Sequence, residues 1–396
     1  MPFQIKSNPY IKECKSSAFT VLFNNAQPNN TISFIHGMLQ YQKFYPNLDL
    51  FCYINELESL RKDKNLFFLF DASTEGYSPF DYHFFDILYR NCKKYNVPPK
   101  KIIYVSANMH DTKNIEDYNK ANSITDSINV FCFLSFKSMV RDLLENHKTN
   151  KLESYRYFQQ WKEQNQKLFD DKILLSLSRV NRKHRTYAIY NLWKSEIKNS
   201  CLLSHDAMTP TDIEYFRSTF NLLKDNVKWW QENLPLIADT TDFNTNHALS
   251  LGSHLHNSTL FQIVNETSVD DRNNTSFFYS EKTFKPIAHM QPFLIWGQRG
   301  CNKALEKYGF KLYDELFNYD FDNIENTKKR YIALQRTATE AVNYLEKLPR
   351  EKQLEWRWNC REKLIHNFDI LANENNDLNA FRQLYKRLGK RNLCKN

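Results

Sequence analysis

Two stretches of this chain put ionisable side chains where a strand hands over to the next element. In the first, Phe261-Gln262-Ile263-Val264 reads as a strand and Asn265-Glu266-Thr267-Ser268 as an acidic turn. After a polar loop, Tyr279-Ser280-Glu281-Lys282 reads as the opening of a helix. Ser280 is placed to cap that helix, because a serine oxygen satisfies first-turn N–H groups. The remaining N–H groups and the positive end of the dipole favour an anion. Lys282 adds a point charge suited to phosphate, and Glu281 an acceptor suited to the vicinal hydroxyls of a ribose. An acid and a base at one helix start suit a nucleoside diphosphate without a glycine-rich turn. In the second stretch, Asp71-Ala72-Ser73-Thr74-Glu75-Gly76 follows a continuous apolar run. Carboxylates at the carboxyl end of a buried parallel strand project into a cleft, where Asp71 or Glu75 could take a proton from a hydroxyl. His110, in Ala107-Asn108-Met109-His110-Asp111, is a third group of this kind.

The elements that must position these residues alternate along the chain. Residues 65–71, 101–107 and 128–134 are apolar runs of strand length, with amphipathic segments between and after them, the first over residues 82–95. Runs apolar on both faces belong in a parallel sheet covered by helices. A charged, aromatic segment over residues 151–169 reads as a connector helix. The rhythm then restarts with strands at 172–177, 200–204, 259–264 and 292–296 and a helix at 185–197. From residue 323 the pattern is helical, over 327–347, 350–372 and 379–388. The expected class is α/β, with parallel sheets, right-handed crossovers and a helical C-terminal extension.

Composition narrows the function classes. The 396 residues are 41% hydrophobic and 25% charged, which excludes a disordered chain and leaves ample material for two cores. Only seven residues are glycine, and neither GxGxxG nor GxxxxGK[ST] occurs, which disfavours a dinucleotide site or P-loop. Eight cysteines are scattered without a Cys-x-x-Cys pair and are expected to be reduced and mostly buried. There is no apolar run long enough to span a membrane and no signal-peptide core, so a soluble, cytoplasmic protein is expected. Of the net charge of +9, the last sixteen residues hold six basic groups and no acid, leaving +3 on the rest. Such a tail could follow phosphates or simply be a solvated helix end. His247, His254 and His256 lack the companions of a metal site. Asp320-Phe321-Asp322 reads as solvent-exposed; Trp356 and Trp358, with Arg357 and Arg361, could stack on bases, but aromatics at helical spacing read as core.

The ordered blocks at 265–268, 279–282 and 291–297 resemble the donor-binding half of GT-B glycosyltransferases, particularly the α1,3-fucosyltransferase family. That family runs Phe-Glu-Asn-Ser, Tyr-x-Thr-Glu-Lys, a helix, then Val-Pro-Val-x-x-Gly. This chain has Asn265-Glu266-Thr267-Ser268, Tyr279-Ser280-Glu281-Lys282, then Gln291-Pro292-Phe293 through Gly297. Upstream, Ser178-Arg179-Val180-Asn181-Arg182-Lys183-His184-Arg185 looks like the family's Ser-Asn-x-x-x-x-Arg block. The likeness covers residues 173–300. It departs in the order at Asn265-Glu266 and at Phe293, so neither GDP nor fucose carries over. The resemblance implies that Glu281 holds the ribose, that Lys282 and Arg185 hold the diphosphate, with Arg179 and Arg182 in reserve, that Glu266 lies near the donor sugar, and that Asn265 and Ser280 are among the donor-binding residues.

On that resemblance the expected fold is two Rossmann-like domains (GT-B). An acceptor domain would span 1–150, a connector 151–170, a nucleotide-sugar domain 171–322 and a helical extension 323–396 with a basic tail. The final helix is expected to cross back to the first domain. The expected activity is inverting, metal-independent transfer of a sugar from a nucleotide diphosphate-sugar, a co-substrate rather than a cofactor, to a saccharide hydroxyl, with Asp71, Glu75 and Glu266 as catalytic acids. Proteins of AT-rich viruses share such motifs, which would place the chain in a host cytoplasm. Two alternatives stand beside this: a viral-type glycosyltransferase acting on a hydroxymethylated base of DNA, and a non-catalytic nucleic-acid-binding protein on a degenerate scaffold of the same fold.

Overall fold

A computed structural model describes residues 33–38, 56–73, 83–146, 172–179, 182–209, 231–238, 258–270 and 275–393, with isolated positions between them. The chain divides into two compact units. Unit 1 comprises Met1–Met139, Asp271–Tyr279 and Asn373–Asn396; unit 2 comprises Val140–Asp270 and Ser280–Ala372. The connector expected at 151–169 lies outside the described residues, as do Glu75, His247 and His254.

Unit 1 is built on four parallel strands in chain order: β1 (Ser33–Met38), β2 (Leu66–Ala72), β3 (Ile102–Ser106) and β4 (Asn129–Cys132). Helices α1 (Leu57–Lys62), α2 (Phe84–Lys94), α3 (Asp111–Ala121) and the start of α4 (Ser135–Asn146) intervene or follow. The alternation of β2 explains its unbroken apolar run. Phe68 and Phe70 join a core with Leu60 of α1, Phe84, Phe85 and Leu88 of α2, and Ile115 of α3. Phe67 and Leu69 point the other way, with Ile103, Val105, Phe131 and Phe133. That second face is covered by the last helix of the chain, residues 374–393, through Phe381, Leu384, Tyr385 and Leu388. A buried ion pair, Lys137 to Asp377 at 3.0 Å, with Ser138 donating to the same carboxylate at 2.9 Å, fixes that helix to α4. Strand β1 gives no apolar run, since Ser33-Phe34-Ile35-His36-Gly37-Met38 mixes polar and apolar residues. Sequence reading passes over it for that reason.

Unit 2 carries a second parallel sheet, of β5 (Leu174–Leu177), β6 (Cys201–Ser204), β7 (Phe261–Asn265) and β8 (Phe293–Trp296), in the order β6-β5-β7-β8. Helix α5 (Lys183–Lys194) leads from β5 to β6, and α6 (Glu281–Ala288) from β7 to β8. Helices α7 (Thr327–Glu346), α8 (Arg350–Trp358) and α9 (Arg361–Ala372) complete the unit, and α10 (Glu374–Leu393) is the helix already placed on unit 1. The continuous helix expected over 350–372 is two helices, broken at Asn359-Cys360. Trp356 packs on Phe261 and Phe317, while Arg357 is buried and donates to the carbonyls of His256, Thr259, His289 and Met290. These two residues are core and backbone strap. No described helix is long and apolar enough to cross a membrane.

The second sheet changes its direction of winding at β5. The chain passes from β5 to β6 on one side, then returns to place β7 on the other side of β5. In open α/β sheets such a reversal leaves a crevice at the carboxyl ends of the strands, and ligands bind there.

Candidate anion-binding site

Strands β5 and β7 pair through only two residue pairs, Leu174 with Phe261 and Leu175 with Gln262. Beyond them a side chain bridges the two strands. Asn265 Nδ2 donates to the hydroxyls of Ser176 (2.9 Å) and Ser178 (2.8 Å), and all three residues are buried. Asn265 is therefore a cross-strand bridge at the switch point. The next residue, Glu266, is also buried, and both of its oxygens are occupied. Oε1 accepts from the Ser280 N–H (3.0 Å) and Thr283 Oγ1 (2.5 Å); Oε2 accepts from the Thr267 N–H (2.8 Å) and Ser280 Oγ (2.7 Å). Its carboxylate thus holds the start of α6, where Ser280 is the N-cap and accepts from the Lys282 N–H. Gly297 lies behind this turn, where a Cβ would come within 3.4 Å of the Glu266 Cβ and 3.0 Å of Cys301 Sγ.

The backbone of the same turn is held by the start of α5. Arg182, the N-cap, donates through Nη1 to the Thr267 carbonyl at 2.8 Å. His184 Nε2 meets the Glu266 carbonyl at 2.8 Å and so carries the proton, since a carbonyl can only accept. Burial pushes this imidazole down to about 3, and neighbouring Arg185, Arg182 and Lys282 push the same way, so it is neutral. Two helix N-termini, of α5 and α6, thus flank one turn, and their partial positive charges add there.

Arg185 is the unusual group. It is buried, yet its nearest acceptors are at the limit of hydrogen bonding: Nη2 lies 3.4 Å from the Glu266 carbonyl and 3.5 Å from Thr267 Oγ1. Its Nε meets no acceptor among the described residues. Burial, then repulsion from Arg182, lowers its pKa to about 10, with Glu266 and Glu281 pulling the other way, so it is still charged at neutral pH. A buried charge without a close partner costs several kcal/mol unless something compensates it. Lys282 extends the positive surface. It is partly exposed and paired with Glu281, which is buried. Burial alone would raise the Glu281 carboxyl, but the charge and hydrogen bond of Lys282, together with Lys285, hold it below the usual range.

The sequence candidates divide accordingly. Arg182, Arg185, Asn265, Glu266, Ser280, Glu281 and Lys282 are gathered around one turn. Arg179 instead faces β6, its Nε donating to Asp206 at 3.3 Å. In unit 1, Asp71 is buried at the end of β2, where Oδ1 accepts from the Ser73 N–H at 2.9 Å and closes a turn. The ring of His110 stacks on Phe277 with centroids 5.2 Å apart. His256 is buried and stacked on His289, with Nδ1 donating to Gln291, and burial holds it well below its ordinary value. Among the described residues no group of three or more His, Cys, Asp or Glu could hold a metal ion. One expectation is overturned: Asp322 is buried, not solvent-exposed, and its carboxylate caps the turn at residues 301–304 by accepting from the Asn302 and Lys303 N–H groups. His184, Thr267 and Thr283 escape sequence reading because each acts through a partner 14 or more residues away. No protein-family model matches this chain, and no curated protein matches it.

Proposed function

We propose that the turn at Glu266-Thr267 is the diphosphate site of a nucleotide diphosphate-sugar, and that the protein is a glycosyltransferase of the two-domain GT-B type. The observation that carries this reading is Arg185, a buried guanidinium whose Nε meets no acceptor among the described residues, at a sheet's switch point. A diphosphate would supply a counter-charge to Arg185 and Arg182, beside the Lys282–Glu281 pair. Glu281, held ionised beside Lys282, suits the ribose hydroxyls.

In the transfer an acceptor oxygen attacks the anomeric carbon as that carbon's bond to the diphosphate oxygen breaks. Arg185 and Lys282 stabilise the charge on the departing diphosphate. The acceptor's proton passes to a general base. Glu266 serves by position, since both its oxygens are bound. A saccharide is the favoured acceptor, and inversion follows from the family resemblance.

Thermal unfolding against UDP, GDP, CDP, their sugar conjugates and pyrophosphate tests the site. A ligand at a hundred times its dissociation constant should stabilise the fold by about 2.7 kcal/mol. The shift should vanish in Lys282→Ala and in Arg185→Met. The second variant should itself melt no lower than the parent, because an apolar side chain removes a buried charge whose acceptors among the described residues are all distant. No shift with any of these ligands would overturn the reading.

A further inference from the structure

Helix α5 opens on Arg182, which gives its first turn no side-chain cap. A serine, threonine or acid at that position would ordinarily satisfy first-turn N–H groups. Here the helix start brings donors to the turn at Glu266-Thr267: Arg182, Arg185 and the positive end of the dipole. Lys282 adds its charge from the start of α6. Two acceptors stand among these cations. One is the Glu281 carboxylate, beside Lys282. The other is a nitrogen of His184, the second residue of α5.

Two contacts within unit 2 fix the His184 ring. Its Nε2 donates to the Glu266 carbonyl at 2.8 Å, and the ring lies edge-on to Trp296, with centroids 5.5 Å apart and planes at 77°. A neutral ring with its proton on Nε2 carries a bare lone pair on Nδ1. No described residue donates to that nitrogen. His184 is partly exposed, whereas Arg185 next to it is buried. A lone pair repels a phosphate oxygen and attracts a hydroxyl. An inorganic anion therefore satisfies the cations of this turn but not His184, while a phosphate ester that carries hydroxyls can satisfy both.

We infer that His184 is a specificity-determining residue: its Nδ1 accepts from a hydroxyl that the ligand carries close to its phosphates, so the site takes a phosphate ester of a polyol in preference to bare pyrophosphate. The inference rests on the diphosphate reading and adds to it the group that tells a sugar-bearing ligand from an inorganic one. The hydroxyl belongs to the ribose or to the transferred sugar, and the same experiment separates the two.

Calorimetry on the full chain compares pyrophosphate, UDP, GDP and their sugar conjugates in the parent and in His184→Gln. The glutamine amide nitrogen reaches the position of Nε2, so the variant keeps an N–H for the Glu266 carbonyl while it loses the Nδ1 lone pair. Affinity for the nucleotide that binds should fall about five- to tenfold more than affinity for pyrophosphate, the worth of one hydrogen bond. A difference already present with the nucleoside diphosphate assigns the hydroxyl to the ribose; one that appears only with a conjugate assigns it to the sugar. Equal changes for pyrophosphate and for every nucleotide overturn the inference and leave the diphosphate reading in place. Nitrogen NMR of the parent's imidazole serves if the variant does not fold. The Nδ1 signal should move upfield on adding the nucleotide and stay in place with pyrophosphate; no movement with the nucleotide overturns the inference. Binding of neither pyrophosphate nor any nucleotide overturns the diphosphate reading and this inference together.

Discussion

At the scale of single residues, Glu266 and Arg185 separate two meanings of a buried charge. Glu266 is an acceptor whose lone pairs are met by four donors, two of them backbone N–H groups that cannot turn away. Those two N–H groups face different oxygens, so Glu266→Gln must set an amide NH2 against one of them. The expected loss is about 1–3 kcal/mol of stability, the cost of a buried donor left without an acceptor. Denaturant unfolding measures it. A variant of unchanged stability and abolished transfer would instead restore Glu266 to acid–base chemistry. Arg185 is the converse case, a donor group whose Nε meets no acceptor among the described residues and whose Nη2 meets only distant ones, which is the ground for the ligand proposed there, where Glu266 acts as a strut.

At the scale of elements, the β3–α3 junction holds another buried carboxylate, Asp111. Burial pushes Asp111 up to about 7, against the hydrogen bonds from Ser106, Asn114 and Tyr104. Asn108 and the Cys132 thiol also face it. A carboxyl whose folded value lies above its ordinary 3.8 contributes stability that is complete below about pH 4 and lost as pH rises to about 7. Asp111→Asn keeps an oxygen for the two asparagine amides and offers an NH2 to the Ser106 oxygen, so it mimics the protonated acid. The melting temperature of this variant should therefore fall less than the parent's between pH 5 and 8. Equal slopes in the two proteins would remove Asp111 as the titrating group.

At the scale of the molecule, the basic tail belongs to a packed element. Phe381 is buried between Phe131 and Phe133, 5.0 Å from each, and Leu384, Tyr385 and Leu388 join the same core. Arg382, Lys386 and Arg387 lie on the exposed face of α10. Deleting residues 381–396 would strip that core, and a Phe→Ala change alone costs about 3–5 kcal/mol at such a site. Neutralising the three exposed cations to glutamine should leave stability within about 0.5 kcal/mol. A saccharide-directed enzyme should show no salt-sensitive duplex binding before or after that change. Duplex binding whose salt dependence flattens in the triple variant would favour DNA as acceptor, because the slope falls by about one for each phosphate no longer neutralised.

How much of this was legible in the sequence depends on how local each signal is. The seven strands read from apolar runs sit within about three residues of their observed bounds, because a strand buried on both faces must be apolar throughout. The Ser280 cap was legible too, since capping joins residues only two apart. Strand β1 and the break at Asn359-Cys360 were not, having no run or period of their own. Nor could local pattern show that Asp322 is buried or that both Glu266 oxygens are bound. The chain by itself determined parallel α/β architecture, its helical end and the residue types gathered near one strand end. Only the tertiary structure decided the reversal between β5 and β7, the burial of Arg185 with only distant acceptors among the described residues, and the anchoring of residues 275–277 on Asn108. Those depend on groups 80 to 170 residues apart in the chain, brought together by packing that no short window of sequence contains.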